Sequence, residues 1–265
     1  MSAFLFFRFR ILTPRRARAA AAACLLLAAC TTSNESPVAT PALVDDYGVS
    51  IGPATAAQRI ISLNPTTTEI LFALGAGERV IGRSRWDQWP VEARTVPEVG
   101  DAIRPSVERI LAARPDLVLL YASGDNRAAA ATLSAAGVAV VALRIDRLAD
   151  FDRAVRTLGH VTGLEAAADA AVDSVERSLA RVREAMRAVP RPRVFVHVWD
   201  KPQVILAGPA EAARLRTDAR WADVRAVREG RVLAYDTMLV ARPSMRLGEA
   251  ARALALLLHP GTVLP

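Results

Sequence analysis

From Arg59 onward, short apolar runs alternate with segments whose apolar residues recur every three or four positions. The runs are "RIISLN", "RVIGRS", "DLVLLY" and "VAVVAL", each bounded by polar or turn-forming residues, and they predict strands. Their lack of apolar/polar alternation suits a parallel sheet covered on both faces. Helices are predicted from Thr66 to Gly75, over "VERILAAR", over "NRAAAATLSAAG" to Gly137, and over "LADFDRAVRTLG". Strands and helices thus alternate through 58–162, an α/β lobe of about 100 residues.

A different pattern follows. "GLEAAADAAVDSVERSLARVREAMRAV", Gly163 to Val189, has no proline and no internal glycine and is rich in Ala, Glu, Arg and Leu. It predicts one helix of nearly 40 Å at about 1.5 Å per residue, stopped by Pro190 and Pro192. A rod at 163–190 would bridge two lobes rigidly. Residues 191–265 then give the strands "RVFVHVW", "QVILAG" and "RVLAYD", a helix from about Pro209 to Val224, and a last helix "GEAARALALLLHP". One junction is anomalous. "RVFVHVW" and "QVILAG" both look like buried parallel strands, yet only Asp200-Lys201-Pro202 separates them. A parallel crossover needs about a dozen residues or more, and no Asn-Gly or Asp-Gly hairpin signal is present. Either the pair is an unusual hairpin or a segment is missing.

The first residues change the meaning of composition and charge. Arg8, Arg10, Arg15, Arg16 and Arg18 precede an apolar run from Ala19 to Ala29 that ends in Leu27-Ala28-Ala29-Cys30. Basic, then apolar, then small residues is the order of a secretory signal, and the run falls short of the roughly 20 apolar residues of a membrane span. Leu-Ala-Ala-Cys resembles a bacterial lipobox, which would make Cys30 the lipid-modified first residue after a signal peptide at 1–29. A plain signal with an incidental cysteine is the alternative. Cys24 would leave with the signal, so no disulfide is expected. The formal charge of +7 falls to +2 without the five arginines of 1–29, so the basic balance does not point to nucleic acid. "TTSNESPVATPA", after Cys30, is polar and Pro-containing, and 30–57 is expected to be a flexible tether.

Candidate chemistry points to binding rather than catalysis. "LGAGERVIG" follows a helix rather than a first strand, and neither a Walker A sequence nor Gly-x-Ser-x-Gly occurs. His160, His197 and His259 share no ligand-like spacing, so no metal site is expected. Only 5% of residues are aromatic, yet Trp86, Trp89, Tyr121, Trp199 and Tyr235 fall at or just beyond predicted strand C-terminal ends. That edge of an open α/β sheet is where ligands bind. "RSRWDQWP" is the strongest stretch, with Arg83, Arg85 and Asp87 as polar partners; "YASGDN" with Ser123 and "HVWDKP" with Asp200 come next, and Arg242 with Tyr235 could close a cleft from the far side. Trp89 and Trp199 could equally fill apolar gaps between lobes. An enzyme using Asp87, Asp101 or Asp200 is the rival reading. "TTTE", Thr66 to Glu69, has the spacing of a capping box.

"RIISLNPTTTEILFALGAGERVIGRSRWDQWP", "VPEVGDAIRPSVERILAARPDLVLL" and "LADFDRAVRTLGHVTG" resemble the substrate-binding lipoproteins of bacterial ABC importers for cobalamin and ferric siderophores. "RWADVRAVREGRVLAYD" and "ARPSMRLGEAARALALLLHP" resemble the closing portion of the same family. The resemblance implies two Rossmann-like α/β lobes bridged by one long helix, with the second lobe at 191–265 shortened by an internal deletion on the order of 50 residues at the anomalous junction. It implies a monomer in the periplasm or cell envelope, lipid-anchored, without resident cofactor. Its ligand would be a corrinoid such as cobalamin, for which flat aromatic faces are suited, or a ferric siderophore or haem. The partner would be an inner-membrane permease and ATPase complex, to which Glu69 would dock. A truncated remnant that no longer delivers is the further alternative.

Overall fold

The structure is a computed structural model that describes residues 43–52, 56–190, 195–196, 204–240 and 242–264. Its first sheet is five-stranded and wholly parallel, in the order β3-β2-β1-β4-β5. The strands are β1 (Ile60–Ser62), β2 (Val80–Ser84), β3 (Glu98–Gly100), β4 (Leu117–Tyr121) and β5 (Ala139–Leu143). The helices between them are α1 (Pro65–Ala73), α2 (Val107–Ala112) and α3 (Arg127–Ala135), followed by α4 (Leu148–Thr162).

Both faces of this sheet are covered, which explains the unbroken apolar runs. Ile60, Leu117, Leu119, Val141 and Leu143 pack on one side with residues of α1 and α4. Ile61, Val118, Leu120 and Ala142 pack on the other with Ile110 of α2 and Leu133 of α3. Each fully buried Ile or Leu contributes roughly 2 kcal/mol. Glycines end the helices in left-handed backbone, Gly75 at φ +87° after α1 and Gly137 at φ +85° after α3.

Strand order places the functional edge. β1 is flanked by β2 on one side and β4 on the other, so the connections leaving β1 and β4 run to opposite sides. In an open parallel sheet the crevice beyond such strand ends is the binding position.

The long helix is α5 (Glu165–Ala185), 21 residues long. Ala168, Val172 and Val175 form its buried stripe. It packs on α4 and on the last helix, α9 (Leu247–Leu258). These contacts are backbone-close: a Cβ on Gly159 would lie 2.5 Å from Ala168 Cβ, and one on Gly248 2.5 Å from Ser178 Cβ. Gly248→Ala should therefore force α5 and α9 apart and cost about 1–3 kcal/mol. Urea denaturation checks this, and an unchanged midpoint would mean the helices sit further apart.

A second sheet holds β6 (Phe195–Val196), β7 (Ile205–Ala207) and β8 (Val232–Ala234), also parallel. The β6–β7 pair is therefore no hairpin, although only the eight residues 197–204 join the two strands. The helix expected over 209–224 is broken into α6 (Pro209–Thr217), a 3-10 turn Ala219–Trp221, and α7 (Arg225–Arg228). Asp218 causes the break. Its backbone is extended, and its carboxylate accepts from the Arg220 amide and guanidinium, which holds its pKa down at about 2. A short α8 (Thr237–Val240) precedes α9.

Part of the expected tether is folded. Residues 43–52 lie along the edge of β5, where Asp46 N–H donates to Ala142 O and Asp45 Oδ2 accepts from Ala142 N–H. Polar composition suggested a linker. What it supplies in 43–52 is the hydrogen-bonding partner of an otherwise unpaired strand edge.

Candidate functional site

The crevice beyond β1 and β4 holds a pocket of about 340 Å³ lined by Leu63, Asn64, Pro65, Ala102, Ile103, Tyr121, Ser123 and Asp125. Leu63, Pro65, Ala102 and Ile103 give it an aliphatic side, faced by the polar groups of Asn64, Tyr121, Ser123 and Asp125. Asn64 caps α1, with Oδ1 accepting from Thr66 N–H at 3.0 Å, and Pro65 fills the first helical position. Asn126 Nδ2 donates to Tyr121 O and Ala102 O, tying the β4 end to the loop after β3. Tyr121 O–H donates to Asp146 at 2.9 Å, and burial with this neighbour raises the phenol pKa.

The Trp86 side chain hydrogen-bonds Asp101, the residue before the lining residues Ala102 and Ile103. Arg85 bridges Asp101 at 2.5 Å and lies over the Trp86 ring at 4.9 Å from its centre. The Ile103 amide, Arg85 and the Trp86 side chain hold the Asp101 carboxyl below its ordinary pKa. Trp86 remains 51% exposed and Ile103 58% exposed, an uncovered apolar rim beside the pocket.

Other expected ligand residues are placed elsewhere. Asp87 is fully buried, accepting from Ser84 N–H at 2.9 Å and from Ser84 O–H at 3.1 Å. It braces the turn after β2 instead of facing solvent, and desolvation lifts its pKa to about 6. Arg83 is turned inward, donating to the carbonyls of Val96 and Ser84. Trp89 lies under the Arg246 guanidinium at 4.2 Å. Tyr235 lines a separate small pocket with Leu239, Leu254 and Leu257. Trp199, Asp200 and Cys30 lie outside the described residues.

Arg242 and Glu69 are corrected together. Thr66 does not cap α1, because Asn64 and Pro65 start the helix earlier. Glu69 is only 3% exposed, and its Oε1 accepts from Arg242 Nη2 at 2.8 Å. Burial raises the Glu69 pKa, opposed by this hydrogen bond and charge. Thr66 O–H also donates to Pro243 O, and Leu247 enters the core of the first lobe. The segment 242–247 therefore covers Glu69, and the Arg242 guanidinium is engaged on its carboxylate.

Sequence reading missed Leu63, Asn64, Pro65, Ala102 and Ile103. The signal available for the first three was their place directly after a central strand. Ala102 and Ile103 follow β3, whose Glu-Val-Gly carries no apolar run. No group of three or more potential metal-ligating side chains occurs among the described residues.

Two parallel α/β sheets, with an apolar pocket at a strand-order reversal, are an arrangement suited to binding a small molecule. The chain belongs to the periplasmic binding protein family, whose model matches residues 60–213. It is 26% identical over 255 residues to the uncharacterized ABC transporter substrate-binding lipoprotein YvrC of Bacillus subtilis, a match covering 77% of this chain and 81% of that one. It is 31% identical over 148 residues to a vitamin B12-binding protein of Pectobacterium carotovorum, covering 55% of this chain and 53% of that one, so the chain spans about half of that relative. Among solved structures, the periplasmic haem-binding protein RhuT of Roseiflexus sp. RS-1 shares the fold with a TM-score of 0.67 at 22% identity, covering 78% of this chain and all of that one.

Proposed function

We propose that the chain is the solute-binding lipoprotein of an ABC importer, anchored in the cell envelope through Cys30, with a corrinoid as its ligand. The observation that carries the ligand class is the exposed rim of Trp86 and Ile103 beside the aliphatic side of the pocket, a flat apolar surface suited to a macrocycle. Of the described cations around the pocket, Arg85 is engaged on Asp101, Arg83 on backbone carbonyls and Arg144 on Ala122 O, which leaves Arg104, exposed beside Ile103, as a single cation at the rim. A catecholate or carboxylate chelate would want converging free arginines, which favours the amide-rimmed corrinoid over a ferric siderophore. The name of the vitamin B12-binding relative supports the corrinoid, and that of YvrC supports the importer lipoprotein without naming a ligand.

The second lobe is read as shortened. A parallel β6–β7 crossover of eight residues is below the usual dozen, and the 255-residue match to YvrC takes up only 77% of this chain, leaving about 50 positions without a counterpart here. The helix α5 then bridges the lobes, and its packing on α4 and α9 limits how far they swing. With Glu69 covered, contact with the permease and ATPase complex falls to other surfaces. The shortening also supports a second reading, a binder that no longer delivers.

Isothermal titration with cyanocobalamin and haemin tests the assignment. Cyanocobalamin should bind with a Kd below about 1 μM and more tightly than haemin, and Trp86→Ala should weaken it about tenfold. A folded protein that gives no heat with either compound would sink the corrinoid reading.

A further inference from the structure

The pocket wall formed by residues 121–126 is held by three long-range restraints, and one comes from an unexpected place. Asn126 ties Tyr121 O to Ala102 O, and the Arg144 guanidinium donates to Ala122 O at 2.9 Å. The third is Tyr47, whose hydroxyl donates to Ser123 O at 2.5 Å across 76 residues of chain. Ser123 itself lines the pocket.

Tyr47 is built into this position. Arg127, the first residue of α3, lies over its ring at 4.4 Å from the centre. On the other side, Asp45 Oδ1 accepts from the Tyr47 and Val49 amides, and its Oδ2 holds Ala142 of β5. Asp46 adds bonds from Arg144 N–H and from Arg153 Nη2. The segment is therefore fixed along the edge strand at Asp45 and Asp46 and reaches the pocket wall at Tyr47. It is also the stretch through which the chain arrives from its N-terminal side.

We propose that Tyr47 is a positioning residue for the ligand pocket: by fixing Ser123 O it sets the conformation of the wall 121–126, making the segment that leads in from the N-terminal side a working part of the first lobe's site. This rests on the reading of that pocket as the corrinoid site. One neutral hydrogen bond of the ordinary net strength, about 1 kcal/mol, corresponds to roughly a fivefold effect.

The test uses the full chain carrying Tyr47→Phe, which keeps the ring under Arg127 and removes only the hydroxyl. Arg153→Ala is the control, since it removes the bonds to Asp46 and to Arg144 O while leaving in place both the Tyr47 hydroxyl and the Arg144 guanidinium that hold the wall. Two readouts are taken: amide hydrogen exchange of residues 122–126, and affinity for cyanocobalamin. In Tyr47→Phe the exchange should quicken about fivefold and the affinity weaken about fivefold, with the thermal midpoint lowered by no more than about 4 °C, while Arg153→Ala changes neither readout. Unchanged exchange in Tyr47→Phe overturns the proposal, as does quickened exchange with unaltered affinity. If the wild type binds no cyanocobalamin, the ligand reading falls by itself. Exchange then decides the positioning role alone, quickened exchange supporting it and unchanged exchange overturning it.

Discussion

Arg242→Met should destabilise the protein by about 3 kcal/mol or more at neutral pH. Methionine keeps much of the aliphatic bulk, so packing changes little. What changes is that Glu69 is left as a buried carboxylate whose Oε1 has lost its 2.8 Å partner, while its Oε2 already lacks one. Removing one member of a buried pair exposes the full desolvation penalty of the other. One further variant and the pH dependence separate this from loss of packing. Glu69→Gln in the Arg242→Met background should recover part of the loss, because the amide carries no charge to desolvate. The sign with pH is also fixed. The folded Glu69 pKa is raised, so its favourable contribution is complete below the unfolded value and disappears as pH rises through the folded one. Arg242→Met should therefore come closest to wild type in mild acid. Urea denaturation across pH reads all three, and a loss under about 0.5 kcal/mol at pH 7 would mean that Glu69 is solvated in solution.

The same pair shows where sequence reading reached its limit. Thr-x-x-Glu is a local pattern, and local spacing makes a cap the natural inference; the actual partner lies 173 residues away. Asp87 misled for a similar reason. In "RSRWDQWP" it stands between two tryptophans, and nothing in the string shows that the turn after β2 folds it under, onto Ser84. By contrast, β1, β2, β4 and β5 were legible because both faces of the sheet pack on apolar core, which confines polar side chains such as Ser62, Arg83 and Ser84 to the strands' C-terminal ends. β3 was not, being a three-residue edge strand of Glu-Val-Gly. Helix ends marked by Gly75 and Gly137 could be read directly, whereas the break at Asp218 depends on side-chain bonds that periodicity does not record. In the candidate site, Tyr121 and Ser123 were accessible to reasoning from strand ends. Tyr47 was not, since its segment reads as linker until the edge of β5 is seen to need a partner.

Asp87 gives the second large effect, one visible only as a function of pH. Burial lifts its pKa to about 6 in the folded protein, against the ordinary aspartate value of 3.8 in the unfolded chain. The folded state thus holds a proton that the unfolded state releases between these values, and stability must fall as pH rises through the window. Two units correspond to roughly 3 kcal/mol. Asp87→Asn is the variant to compare, because asparagine can accept from Ser84 N–H through Oδ1 and donate to Ser84 Oγ, preserving the turn without the charge. Wild-type stability minus that of Asp87→Asn should be most favourable near pH 4, decline by roughly 3 kcal/mol towards pH 6–7, and stay level above that. Subtracting the two urea-denaturation profiles cancels groups common to both proteins. A difference flat across this range would mean that the carboxylate is hydrated where the structure buries it, and that the turn carrying Trp86 is looser than its hydrogen bonds imply.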